Sequence, residues 1–130
     1  MGDNKNITND QGSVNSLGAL MDAVQITASS SRNIKNAADT IEKSCSTQGT
    51  RGEAHKSLLL DKADDMRSLA ELYGSASRRF ESAAKKLQNG IPEDKVWADV
   101  LAYDSFFSDQ LKSEKCDYES VLNILHENTT

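Results

Sequence analysis

Proline is almost absent from this chain: Pro92 is the single one in 130 residues. Long helices can therefore run without a breaker. Nowhere do Val, Ile or Thr alternate with polar residues over a run, so strands are not expected. No apolar run approaches the ~18 residues of a membrane-spanning helix. The first residues lack the charged and apolar regions of a secretory signal, so export by that route is not expected. Two cysteines, Cys45 and Cys116, are too few for a disulfide scaffold, and a reducing, cytoplasmic setting is expected. The charge excess is acidic, −5 overall, whereas a general nucleic-acid binder shows a basic face. These absences leave a cytoplasmic helical domain with no nucleic-acid partner and no direct membrane insertion.

What is present is helical periodicity. Between Leu59 and Leu87 the apolar positions are Leu59, Met66, Leu69, Tyr73, Ala76, Phe80, Ala83 and Leu87. From Met66 onward the steps alternate three and four, which is the seam of a helix packed along its whole length. Only Lys62 breaks the phase, and Gly74 is the weakest helix former within it. Such a helix needs neighbours to cover its stripe.

Two other segments supply them. Leu17, Leu20, Val24, Thr27, Ser31, Ile34, Ala38, Ile41 and Cys45 form a second stripe, with Ser13 or Ser16 placed to cap it. Its middle, Thr27-Ala28-Ser29-Ser30-Ser31, is rich in hydroxyls that compete for backbone hydrogen bonds, so a kink or break there is an open alternative. The third stripe comprises Trp97, Val100, Leu101, Phe107, Leu111, Tyr118, Val121, Leu122 and Leu125. Nothing between Lys112 and Asp117 is a strict breaker, so one helix is expected, with a break near Ser113 as the alternative.

The boundaries follow from turn chemistry. Residues 1–12 are polar and aperiodic, which predicts a disordered tail. Gly49 suits a helix C-terminus, and Thr50-Arg51-Gly52-Glu53 reads as a capping box. Asn89-Gly90 stops the second helix, and Pro92 suits the first turn of the third. The expectation is an all-α domain over residues 13–127, with helices at about 14–45, 51–89 and 92–126. Short turns make it an elongated, antiparallel up-down-up three-helix bundle with coiled-coil-like packing. In this register Phe80 lies opposite Leu101, with Trp97 one turn away.

Charge fits the same hairpin. Residues 51–90 hold eight Lys and Arg against six acids, and residues 91–130 hold three against nine. Arg78, Arg79, Lys85 and Lys86 face Glu93, Asp94, Asp99 and Asp104 across the turn, so the basic patch is expected to be neutralised within the chain.

Chemistry-bearing groups are sparse. Cys45, His55 and His126 fall near one end of the bundle, which raises a metal-binding helical bundle as one reading. Cys45 continues an apolar stripe, however, and no pair of ligands has the short spacing of known sites. Asp104 is the one acid on a buried-looking stripe. There is no phosphate-binding glycine loop and no nucleophile elbow. No enzyme activity, cofactor or metal is expected.

The string Arg51-Gly52-Glu53, with Leu58-Leu59-Leu60-Asp61-Lys62 and Phe80-Glu81-Ser82-Ala83-Ala84-Lys85, is similar to the second half of an R-SNARE motif. That resemblance implies a membrane-trafficking helical module in which an arginine fills a central layer. Counting from Arg51 in three-four steps lands on His55, Leu58, Lys62 and Asp65, and backward on Gln48 and Ser44. These are not core layers, so the register departs from the family. The three-helix architecture also resembles spectrin-type repeats, at the level of fold alone.

The function expected from the residues is a protein-protein interaction module, a small subunit or adaptor of a larger assembly. Its partner would be another helix or a second copy of the chain. Leu58, Leu60, Val121 and Ile124, at the end near the first turn, exceed what one seam can use and are the expected partner-binding residues.

Overall fold

A computed structural model describes the backbone of residues 2–47 and 52–129, and the side chains of residues 16–46 and 52–128. Four helices follow in order: α1 (Gly2–Thr47), α2 (Glu53–Gln88), α3 (Glu93–Ser113) and α4 (Tyr118–Thr129). There is no strand among the described residues. The architecture is the expected all-α three-helix bundle, its third arm divided into α3 and α4. Among the described residues no helix is long and apolar enough to cross a membrane. α1 begins at Gly2 rather than near Val14, so the backbone of residues 2–12, expected as a disordered tail, is helical, while the side chains of residues 1–12 lie outside the described residues.

The stripes bury as their spacing requires. Leu20, Ile34, Ala38 and Ile41 of α1 are almost fully covered, as are Met66, Leu69 and Ala76 of α2. α1 packs along α2, α3 packs against α2, and α4 packs against α1. Two cores result. The first joins Ile34, Ile41 and Cys45 to Leu59, Met66, Cys116 and Val121. The second joins Leu20 to Phe80, Ala83, Val96, Val100 and Phe107. Tyr73 and Leu111 border both, and the Tyr73 ring meets Phe107 edge-on at 5.5 Å.

α1 does not break at its hydroxyl-rich centre. The Thr27 hydroxyl donates to Ala23 O at 2.6 Å, so this buried polar group is satisfied within its own helix. Ser31 donates across to Ala70 O at 2.7 Å, and Ser77 donates back to Val24 O at 3.1 Å. Each such bond contributes about 1 kcal/mol net and removes the incentive to unwind. A Cβ at Gly74 would lie 3.2 Å from the Ser31 hydroxyl, so the glycine belongs to a close approach of α1 and α2.

The break occurs in the third arm, at residues 114–117. The physical reason is phase. A continuous helix stepping from Phe107 and Leu111 toward Tyr118 would set Glu114 or Lys115 on the seam. Extended backbone at Glu114 (φ −70°, ψ 147°) resets the phase, and Cys116 enters the first core instead. Asp117 then caps α4, its carboxylate accepting the Ser120 amide at 2.8 Å.

The turn into α3 is built as expected. Gly90 is left-handed (φ 86°), Gly90 N–H donates to Leu87 O, and Ile91 N–H donates to Lys86 O. This is the Schellman pattern, which satisfies the last carbonyls of α2. At the other turn the N-cap of α2 is Gly52, with no side-chain cap. Thr50, expected to close a capping box, lies outside the described residues.

The hairpin register differs from expectation. Phe80 is buried, but Leu101 is 63% exposed. The Phe80 ring instead meets Tyr103 at 5.7 Å and Phe107 at 6.5 Å, both edge-on. The inward stripe of α3 is Val96, Val100, Tyr103, Phe107 and Leu111, and Leu101 lies one residue off it.

Candidate functional site

The residues singled out for metal chemistry do not assemble. Cys45 and Cys116 are free thiols buried in the first core. Burial pushes the Cys116 thiol above its ordinary range, and the carboxylates of Asp65, Glu114 and Asp117 add to this. A thiol held protonated is a poor nucleophile and a poor ligand. His55, His126 and Asp104 are all exposed. No group of three or more His, Cys, Asp or Glu side chains among the described residues could hold a metal ion.

Of the four residues expected to bind a partner, the structure keeps two on the surface. Leu58 is 54% exposed and Leu60 is 41% exposed. They are two positions apart, ~200° around the helix, so they lie on opposite flanks of α2 with buried Leu59 between them. Ile124 is half-buried against the first core. Val121 is 2% exposed and belongs to that core. Leu122, expected inside, is 50% exposed. The reset at residues 114–117 turns α4 so that Val121, not Leu122, faces inward. The four residues therefore do not form one patch.

Leu122 instead lies on the rim of a groove between α1 and α4, with Ile34, Ala37, Thr40, Tyr118 and Leu125 among its lining. The groove exists because α1 presents short side chains there. Tyr118 is held at its end by the Asn33 amide, which donates to the phenol oxygen at 3.2 Å. Pairing near the groove is local: Arg67 of α2 bridges Asp39 at 2.8 Å and Glu42 at 2.6 Å on α1.

A second hollow lies at the other end of the bundle, between α2 and α3. Arg79, Ala83, Lys86, Asp99, Val100 and Tyr103 line it. The Arg79 guanidinium stands 4.9 Å over the Tyr103 ring, where the electron-rich face attracts a cation. Phe106, 53% exposed, extends the aromatic surface with its ring 5.9 Å from that of Tyr103. Glu93, one of the acids expected to answer the basic cluster, accepts a hydrogen bond from Ser16 of α1 at 2.7 Å. A third hollow, between α1 and α2, is lined by Ser31, Lys35, Arg67, Glu71, Gly74 and Arg78. Its Arg67 is already committed to the two α1 carboxylates.

No protein-family model, curated protein or solved structure matches this chain. Exposed Leu122 and Phe106 were not legible as surface residues in the sequence. Leu122 sits among the apolar residues Val121, Ile124 and Leu125, and Phe106 adjoins the seam residue Phe107. The one signal that could have placed Leu122 was the charged pair Glu114-Lys115, which a continuous seam cannot bury.

Proposed function

We propose that this chain is a non-enzymatic interaction module of the cytoplasm, a small subunit or adaptor that docks a helix of another protein in the α1–α4 groove. The observation that supports this reading is Leu122: a leucine half exposed at the rim of a groove whose floor is Ile34, Ala37 and Leu125. An amphipathic helix laid there would cover Leu122 and extend the first core outward, the helix-in-groove mode of recognition. Two buried free thiols fit a reducing compartment.

The experiment is capture of partners on the purified protein, followed by mass spectrometry, with two variants in parallel. Leu122→Lys should lose the captured protein while helicity and melting temperature stay as in the parent. Leu60→Lys, on the outer flank of α2, should retain it. Capture that survives Leu122→Lys would refute the placement. A sedimentation shift of the parent protein alone, abolished by Leu122→Lys, would assign the groove to a second copy of the chain.

A further inference from the structure

The hollow at the far end of the bundle has a feature that the α1–α4 groove lacks. Arg79 and Lys86 are seven residues apart on α2, two turns or ~10.5 Å along one flank. Both line the groove that separates α2 from α3. Glu81 pairs with Lys85 at 3.6 Å, outside the groove lining. Among the residues that line the groove itself, the two cations Arg79 and Lys86 stand against one carboxylate, Asp99, so its lining is net positive in an acidic protein. Its floor is apolar, formed by Ala83, Val96 and Val100, and its far wall is aromatic. Tyr103 and exposed Phe106 stand there with Arg79 ordered over the Tyr103 ring. Aromatic residues and arginine are the types that dominate binding energy at interfaces.

We propose that the α2–α3 groove docks an acidic amphipathic helix of a partner protein. Its apolar stripe lies over Tyr103 and Phe106. Carboxylates one heptad apart meet Arg79 and Lys86. The choice of occupant rests on charge complementarity: two cations spaced by two turns match acids at equivalent positions of a facing helix. This site is separate from the α1–α4 groove, and the inference holds or fails independently of that reading.

The test uses a fluorescent helical peptide of about 18 residues, ~27 Å long. It carries leucines at three-four spacing and glutamates a heptad apart on the flank, with matched peptides bearing glutamine or lysine instead. Anisotropy titration of the full chain should show the glutamate peptide binding about fivefold more tightly than the glutamine peptide, and the lysine peptide failing to bind. Lys86→Glu should reverse the preference, and Phe106→Ala should weaken binding about tenfold. Both side chains are exposed, so circular dichroism should match the parent. Leu122→Lys should change nothing here.

Equal affinity for the three peptides, or binding unaffected by Lys86→Glu and Phe106→Ala, would overturn the proposal. Loss with Leu122→Lys alone would do so too, by assigning the peptide to the other groove. Two further results would overturn it: dimerisation of the chain that Lys86→Glu abolishes, and binding of phosphatidylserine vesicles in place of the glutamate peptide.

Discussion

Phe80→Ala separates the observed hairpin from the one its sequence pattern suggests. The side chain is 6% exposed and lies among Leu20, Ala76, Ala83, Val96 and Val100, with two aromatic rings edge-on to it. Removing it from a buried site forfeits about 2.5 kcal/mol of transfer free energy. If about 80 Å³ stays open, the cavity costs ~2 kcal/mol more. The sum, near 4–5 kcal/mol, should lower the melting temperature on the order of 15 °C for a chain of this size. In urea, with a slope of about 2 kcal/mol/M, the midpoint should fall by roughly 2 M. The discriminating partner is Leu101→Ala. If Leu101 faced Phe80 across the seam, its truncation would cost about 2–5 kcal/mol. At 63% exposure it should cost less than about 1 kcal/mol. Urea denaturation followed by circular dichroism reads both. A Leu101→Ala midpoint as depressed as that of Phe80→Ala would refute the observed register.

Three other outcomes are expected. Gly74→Ala gains about 1 kcal/mol of helix propensity but crowds the Ser31 hydroxyl at 3.2 Å, so it should be near neutral in the parent and stabilising by about 1 kcal/mol in a Ser31→Ala background; a double-mutant cycle in urea showing no coupling would refute the close approach. Both cysteines should resist an aromatic disulfide reagent at neutral pH and react only on unfolding, because both are buried and burial first, then Asp65, raises the Cys116 thiol; reaction of the folded protein at the rate of a free thiol would contradict that. The Asp117 carboxyl is held below its ordinary value, first by the Ser120 amide and then by its hydroxyl, so its contribution to α4 is present above the usual Asp range near ~3.9 and is lost as pH falls through the folded value. Acid titration of the Val121 amide resonance should show that loss in the parent, and Asp117→Ala should weaken α4 already at neutral pH; an Asp117→Ala protein whose Val121 resonance matches the parent at both ends of the titration would remove Asp117 as the cap.

Local pattern alone determined that the chain is all helical and which faces of α1 and α2 turn inward, but neither the start of α1 at Gly2 nor the division of the third arm. A three-four spacing from Leu17 to Cys45 and from Met66 to Leu87 has one way to be buried, and Gly90 with Asn89 has one turn to make. Burial of those stripes depends on residues within a few positions of each other, so it is readable along the chain. The tertiary structure decided what depends on how three arms fit together. Ser31 looks like a helix weakness until the Ala70 carbonyl of α2 accepts its hydroxyl, and then α1 runs unbroken. The third arm looks continuous until Glu114 and Lys115 would have to enter a core, and then it breaks and rotates α4. That rotation exchanged Val121 for Leu122 at the surface, and the actual hairpin register left Leu101 outside while Tyr103 and Phe107 took Phe80. The candidate grooves are made by these adjustments between helices, each a competition between distant side chains for the same buried space, which is why no single stretch of sequence displays them.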